Sequence, residues 1–197
     1  MAERKAERRL RFLVAATRIF AERGYANCSL ADVCAAAALS KRQFYEEFTT
    51  REDLLVAAYD RVQDEAAAAV TKALTLLDPA TDARTSVAVV LGAYLESMNA
   101  DPYRAKLGFI EVVGVSERME QHRRERRHSW ARLLELAVAP MVGPGAHLRV
   151  NRELGASALI GAINGLAQEW LLTDPRPPVA DLADLLVPVA VALIDTE

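Results

Sequence analysis

Three helix-start signals follow one another near the N-terminus of this 197-residue chain. In each signal a hydroxyl side chain is followed three residues later by a side chain that can bond back to it, as in a capping box. The pairs are Ser29 with Asp32, Ser40 with Gln43, and Thr50 with Asp53. This spacing restricts residues 29–50 to short helices joined by tight turns.

The rest of the chain also has helical patterns. No stretch alternates apolar and polar residues long enough to indicate a strand. Alanine runs such as residues 66–69 favour helix, because alanine is the best helix former. We therefore predict an all-α protein. Helices are predicted at residues 4–23, 30–37, 41–47, 51–77, 82–100, 102–113, 117–142, 152–172 and 179–194, with a loop at residues 143–145.

The composition argues against membrane and secreted classes. Uncharged stretches such as residues 155–167 and 185–194 are shorter than the roughly 20 residues that a membrane span needs. Residues 1–11 are heavily charged and lack the apolar core of a signal peptide. We expect a cytoplasmic protein without a membrane partner.

No constellation of residues indicates catalysis, so we expect a protein that is not an enzyme and has no cofactor. There is no glycine-rich phosphate loop and no nucleophile elbow. The three histidines lack metal-ligand spacing with nearby acids, so no metal site is predicted. Cys28 and Cys34 are interpreted as small buried hydrophobic residues, with a redox switch as the alternative.

Positive charge is concentrated at the start of the chain. Residues 1–60 carry ten Lys and Arg against nine Asp and Glu, whereas the remainder carries fourteen against eighteen. A basic arm within the first eleven residues is compatible with phosphate contact or with a solvated helix face. It consists of Arg4, Lys5, Arg8, Arg9 and Arg11.

The two short helices at residues 30–37 and 41–47 form a predicted helix-turn-helix motif, which also occurs in purely structural bundles. In the DNA-binding form the second helix enters the major groove. The small core of the helix-turn-helix motif is predicted to contain Val33, Ala37, Leu39, Phe44 and Phe48. Phe44 and Phe48 turn one face inward and leave the other for DNA, where Arg can pair with guanine and Gln with adenine.

At these residues the sequence resembles the TetR family of bacterial repressors. The matching segments are Ser29-Leu30-Ala31-Asp32-Val33-Cys34, the run from Leu39 to Phe48, and Arg51-Glu52-Asp53-Leu54-Leu55. A weaker resemblance covers residues 158–171, which look like the penultimate helix of such proteins. The resemblance implies a DNA-binding domain over residues 1–50 and a helical ligand-binding and dimerisation domain over residues 51–197.

The resemblance also implies roles for individual residues. Ser29, Tyr45 and Arg51 would contact phosphates, and Lys41, Arg42 and Gln43 would face base edges. The complete predicted DNA-binding set is Ser29, Ser40, Lys41, Arg42, Gln43, Tyr45 and Arg51.

The sequence departs from the family pattern in its turn and at the end of its recognition helix. The turn position that is usually glycine is Ala38. A left-handed backbone there would cost about 1 kcal/mol. Glu46 and Glu47 end the second helix and would weaken non-specific DNA binding or reject wrong sites. Gln43 is also ambiguous, because a capping-box partner would be unavailable to a base.

The later helices provide candidate dimer and ligand sites. Small residues recur every four positions on the helix at 152–172 and would let a second helix approach closely, unless they only pack within one chain. The predicted dimer-interface residues are Ser157, Gly161, Gly165, Leu182 and Leu186. Polar and aromatic residues that interrupt apolar faces are the ligand candidates, with core packing as the alternative. They are Tyr94, Met98, Phe109, Trp130, Asn164 and Gln168.

These features predict a repressor that binds a pseudo-palindromic double-stranded DNA operator as a homodimer and is released by a small apolar effector. The alternative is a helical ligand- or partner-binding dimer that has no sequence-specific DNA binding. Glu46 and Glu47 are the residues that suggest this alternative.

Overall fold

A computed structural model describes residues 2–78, 80–138 and 152–193. Every regular element within these residues is a helix, which confirms the predicted all-α class. A π-helical segment, Leu107–Glu111, directly continues α6. The helices are α1 (Ala2–Arg23), α2 (Leu30–Ala37), α3 (Lys41–Tyr45), α4 (Arg51–Leu76), α5 (Ala83–Asn99), α6 (Pro102–Lys106), α7 (Glu117–Val138), α8 (Arg152–Leu172) and α9 (Val179–Leu193).

The predicted capping boxes all form. The hydroxyls of Ser29, Ser40 and Thr50 each accept a hydrogen bond from the backbone N–H three residues later, at 3.2, 3.2 and 3.0 Å. These bonds satisfy backbone donors that the first turn of a helix leaves without a partner. The starts of α2, α3 and α4 are therefore fixed by short-range chemistry.

Among the helices whose predicted ends lie within the described residues, two end more than one residue early. The helix α3 ends at Tyr45, and α6 ends at Lys106, where the hydrogen bonding changes to the π pattern. The predicted loop at residues 143–145 lies outside the described residues.

The described residues fall within two compact units. The first unit spans Met1–Asp64 and Asp101–Glu120, and the second spans Glu65–Ala100 and Gln121–Glu197. The sequence-based boundary after residue 50 divides the chain differently and stays a prediction about functional domains.

An aromatic cluster forms the core of the first unit. The rings of Phe12 and Phe44 meet edge to face with centroids 5.5 Å apart, and Phe48 lies 5.6 Å from Phe44. All three side chains are buried. Edge-to-face pairs of this kind stabilise a fold by about 0.5–1.5 kcal/mol beyond the burial of their area. The cluster therefore packs α1 against α3.

The segment at residues 101–120 belongs to the first unit through specific polar contacts. Glu111, at the end of the π-helical segment, accepts a hydrogen bond from the Tyr25 backbone N–H at 2.8 Å. Ser116 donates to Glu52 at 2.6 Å, and Arg118 contacts Asp53 at 2.7 Å. This ion pair holds the pKa of the Asp53 carboxyl below its usual value. The start of α4 is thus fixed to the segment that leads into α7.

In the second unit α9 packs against α5 and α8. Apolar side chains of α8 and α9 fill its core, including Leu159, Ile163, Leu182 and Leu186. The Trp170 indole N–H donates to the Pro177 carbonyl at 2.7 Å, which fixes the connection between the two helices. Among the described residues, none of the helices is both long and apolar enough to cross a membrane.

Candidate DNA-binding, effector and dimer sites

The turn between α2 and α3 is left-handed at Ala38, with φ 51° and ψ 46°. A residue with a Cβ pays roughly 1–2 kcal/mol for this conformation. The Arg11 guanidinium donates to the carbonyls of Ala37 and Ala38 at 2.9 and 3.1 Å. Because these bonds satisfy carbonyls at the end of α2, they stabilise the turn that orients α3.

The outward side of α3 presents cationic and aromatic side chains to solvent. Lys41 is exposed, and the side chain of Arg42 is 91% exposed. Tyr45 is 61% exposed, and its ring contacts the edge of Phe44. The buried and exposed sides of α3 are therefore separated as the prediction required.

Two of the predicted DNA-binding hydroxyls are engaged in capping. Ser40 donates its backbone N–H and its hydroxyl to the Gln43 side-chain oxygen, at 2.9 and 3.0 Å. Gln43 therefore has its oxygen in the cap and would have to release it to pair bidentately with adenine. Ser29 likewise donates its hydroxyl to Asp32, which holds the pKa of that carboxyl below its usual value.

Arg51 lies at the first position of α4 and stacks on Tyr25. Its guanidinium carbon is 4.3 Å from the centroid of the Tyr25 ring. Stacking on a ring occupies the face of the guanidinium and leaves its N–H edges available for an anion. Tyr25 also packs edge to face on Phe20 at 5.1 Å, which fixes this platform.

The two carboxylates after α3 are bound by one arginine of α1. Arg8 contacts Glu47 Oε1 through Nη2 at 2.6 Å and through Nε at 2.9 Å. Its Nη1 lies 3.0 Å from Glu46 Oε2. The Glu47 side chain is only 1% exposed. Both carboxylates at the end of α3 therefore contact one arginine of α1, an arrangement that sequence reasoning missed.

Three arginines of the predicted basic arm bond within the first unit. Arg8 binds the two glutamates, and Arg11 binds the end of α2. Arg9 donates to the Glu47 carbonyl at 3.1 Å, and its guanidinium lies 4.4 Å from the Phe48 ring centroid. The clustering of arginines in the sequence was the available signal, but it did not identify partners 26 to 39 residues away.

Both cysteines are buried with free thiols. The Cys28 thiol donates to the Ile19 carbonyl at 3.4 Å. Burial raises the pKa of both thiols above the ordinary value. Because the reactive species is the thiolate, this environment favours the packing interpretation over a redox switch.

An apolar cavity of about 40 Å³ lies in the second unit. Two predicted ligand residues line it, Tyr94 and Trp130, whose rings meet edge to face at 5.1 Å. The other lining residues carry no polar group that distinguishes them from ordinary core residues, so they could not be identified from the sequence. They are Val70, Val90, Leu91, Leu134, Ile160 and Ile163.

The other four predicted ligand residues do not line this cavity. Met98 is buried in the core of the second unit, whereas Phe109 is buried in the first unit, with the π-helical segment. Asn164 and Gln168 are half-buried on α8. These four residues therefore stay predictions as ligand contacts and lie away from this cavity, because residue type alone does not reveal which core a side chain enters.

The α8/α9 face consists of small and apolar residues that point away from the core of their own unit. On α8, Ser157, Gly161 and Gly165 are exposed, and a Cβ built on either glycine meets no atom within 4 Å. The exposed large side chains of this face are Leu154 and Leu172 on α8, and Leu185 and Val189 on α9.

Two predicted interface residues do not lie on this face. Leu182 and Leu186 are 3% and 2% exposed within a single chain, so they pack in its own core. The leucines and valines of α9 occupy two sides of the helix, and one of these sides packs against α5 and α8 of the same chain. Leu185 and Val189 take their place on the outward side.

Comparison with known proteins gives a match at the first unit. Residues 12–58 match the family model of bacterial regulatory proteins of the tetR family. This segment includes α2, the left-handed turn, α3 and the start of α4. No curated protein matches the sequence significantly.

Solved structures with this fold cover nearly the whole chain. The transcriptional regulator FadR from Bacillus subtilis, solved in complex with stearoyl-CoA, is 16% identical and has a TM-score of 0.79, with 94% of this chain and 99% of that chain covered. The fatty acid degradation regulator FadR from Bacillus halodurans is 15% identical, with a TM-score of 0.78 and coverages of 93% and 94%.

A TetR-like transcriptional regulator from Rhodococcus sp. RHA1 is 21% identical, with a TM-score of 0.70 and 93% of both chains covered. At these identities the similarity establishes the fold, and the family match is confined to residues 12–58. Residues 12–58 are thus similar to the tetR family of bacterial regulatory proteins, and the chain has the fold of transcriptional regulators of that family.

Proposed function

We propose that this protein is a ligand-responsive transcriptional repressor that binds a pseudo-palindromic operator as a homodimer. The observation that carries the proposal is the exposed side of α3, where Lys41, Arg42 and Tyr45 project from a helix-turn-helix. Arg can pair with guanine in the major groove, while Lys and Tyr suit phosphate oxygens. Ser29, Ser40 and Gln43 complete the proposed DNA-binding set, with Arg51 as a phosphate contact.

The α8/α9 face supports the proposed homodimer. Exposed apolar side chains such as Leu154 and Leu185 are unfavourable in water, and covering them with a second copy of the chain would stabilise a dimer. Gly161 and Gly165 leave open space above α8, so two helix backbones can approach closely. A two-fold dimer would carry two recognition helices, matching half-sites about one helical turn or a multiple of it apart.

The apolar cavity supports an effector with a hydrocarbon chain. Its lining side chains come from α4, α5, α7 and α8 and are apolar or aromatic. One similarly folded regulator was solved with stearoyl-CoA. We therefore propose a fatty-acyl thioester as the effector class. A cavity of about 40 Å³ holds only a few water-sized groups, so a long chain requires its wall to move.

The helix α4 connects effector binding to DNA binding in this proposal. It begins at Arg51 and contributes Val70 to the cavity wall. An effector that binds more tightly when α4 adopts the orientation that does not bind DNA would shift the population away from the DNA-binding state. A difference in affinity of about 10⁴-fold would almost completely reverse a two-state population.

Filling the cavity is expected to separate effector response from DNA binding. Val90 is buried and lines the cavity, whereas its neighbour Val89 is 39% exposed. Val90→Phe should keep operator binding but raise the stearoyl-CoA concentration needed for release about tenfold or more. The added ring fills the cavity, and overpacking it further with a ligand costs about 1–3 kcal/mol. Fluorescence anisotropy of labelled operator, titrated with stearoyl-CoA, measures this release.

Val89→Phe is the matched control and should respond as the wild type does. A wild-type protein that retains its operator at all stearoyl-CoA concentrations would contradict the proposed effector class. If Val90→Phe responded as the wild type does, the effector would not bind in this cavity.

Loss of Arg51 is expected to weaken binding to every DNA sequence alike. Arg51→Ala should reduce the slope of log affinity against log salt by roughly 1, the value for one lost phosphate contact. Titrations at four salt concentrations measure the slope. Lys72→Ala removes an exposed cation of the second unit and should leave it unchanged. An unchanged slope for Arg51→Ala would exclude this arginine from the phosphate contacts.

The alternative function, a dimer without sequence-specific DNA binding, was suggested by Glu46 and Glu47. Both carboxylates contact Arg8, whose single positive charge offsets part of their negative charge and so weakens the feature that favoured this alternative. Selection from a randomised DNA pool with the purified full-length chain distinguishes the two functions. The proposal expects enrichment of a motif with two inverted half-sites, whereas the absence of any enriched motif would contradict it.

A further inference from the structure

Glu46 is placed between two arginines at the end of the recognition helix. Its Oε2 lies 3.0 Å from Nη1 of Arg8, and its Oε1 lies 3.5 Å from Nε of Arg42. Each oxygen of the carboxylate thus faces a different guanidinium. The Arg8 side chain is 24% exposed and comes from α1, whereas Arg42 is almost fully exposed on α3.

The edge of Arg42 that faces Glu46 is not the edge that reads a base. A guanidinium pairs with guanine through two parallel N–H groups, which reach O6 and N7. The carboxylate lies at Nε, so the two Nη groups stay available on the outer edge. A long exposed arginine otherwise samples many rotamers, and holding it in one arrangement lowers the ordering cost of a directed contact.

We propose that Glu46 is a specificity-determining residue that orients Arg42 for guanine, and that Arg8 is the positioning residue that holds Glu46. This inference rests on the proposed function and deepens it, because it assigns a guanine to the position in each half-site that Arg42 reads. It also explains why an acidic residue can stand at the DNA-facing end of α3.

The arrangement changes selective and non-selective binding in opposite directions. A carboxylate near the DNA backbone is repelled by phosphates and weakens binding to every sequence. The same carboxylate improves discrimination, because Arg42 is held for one base. Removing it should therefore raise affinity for random DNA while reducing the preference for guanine. A residue that only stabilised the helix would not produce these opposite changes.

The test compares full-length variants on an operator selected with the wild-type chain and on its single-base variants. Arg42→Ala is the reference and should lower the preference for guanine roughly fivefold or more. Glu46→Ala should lower it roughly threefold or more and raise affinity for shuffled DNA. Glu46→Gln retains an acceptor oxygen for Arg42, so it should also raise affinity for shuffled DNA but preserve most of the preference.

Glu7→Ala is the charge control, because Glu7 is an exposed carboxylate on α1. This variant should leave base preference unchanged. If the wild type selects no sequence, the proposed function fails and the inference fails with it. If the wild type is selective but Glu46→Ala or Arg42→Ala keeps the wild-type preference at every position, only the inference is overturned.

Discussion

Replacing Gly161 with leucine is expected to abolish operator binding while leaving each chain folded. A Cβ at Gly161 meets no atom of its own chain within 4 Å, so the added side chain points into open space in a single subunit. In the proposed dimer the same side chain would lie between two α8 helices. Overpacking costs about 1–3 kcal/mol per site, and in a two-fold dimer the substitution occurs in both subunits.

Sedimentation at micromolar concentration, with helicity measured by circular dichroism, tests this expectation. Gly161→Leu should sediment as a folded monomer and no longer bind the operator. Two half-sites need two DNA-binding domains that are held at a matching separation. Gly161→Ala is the matched control, since it removes the glycine but adds only one methyl group, and it should remain dimeric. A folded Gly161→Leu dimer that still binds the operator would contradict this placement of the interface.

The second large effect is expected at the ion pair between α1 and the end of the recognition helix. Arg8→Met should lower the free energy of unfolding of the first unit by about 3 kcal/mol, because it leaves the buried Glu47 carboxylate without its cation. Glu47 depends strongly on this partner, because its second oxygen is buried without a hydrogen bond from any described residue. Specific DNA binding should weaken as well, since the end of α3 loses one of its polar contacts with α1.

A double-mutant cycle measures the coupling between Arg8 and Glu47 in the absence of DNA, so a direct contact of Arg8 with DNA does not affect it. Arg8→Met combined with Glu47→Leu replaces both charges by apolar groups and should recover most of the lost stability. Chemical denaturation followed by circular dichroism measures all four proteins. Strictly additive losses would contradict the coupling of these two residues.

The parts of the fold that depend on short-range chemistry were predictable from the sequence. The hydroxyls of Ser29, Ser40 and Thr50 act on the next three residues, so the starts of three helices followed from their spacing. The π-helical segment Leu107–Glu111 was predicted as ordinary helix, because its apolar residues fit a helical pattern as well.

The features that the sequence did not reveal depend on partners far along the chain. Arg8 was grouped with a possible DNA-binding arm, and only the fold places it against Glu46 and Glu47. Leu186 was predicted at the dimer interface, but whether Leu186 or Leu185 faces the core of its own chain depends on where α5 packs. Both cases require knowledge of the tertiary arrangement.

Equilibrium binding of the wild-type dimer to its selected operator and to a shuffled sequence of the same composition tests the central claim most directly. Specific complexes are typically about 10³–10⁷ times tighter than the non-specific complexes of the same protein. At near-physiological salt we therefore expect the operator to bind at least about a thousandfold more tightly than the shuffled DNA. Equal affinities for the two sequences, with the same dependence on salt, would contradict the claim that this chain is a sequence-specific regulator.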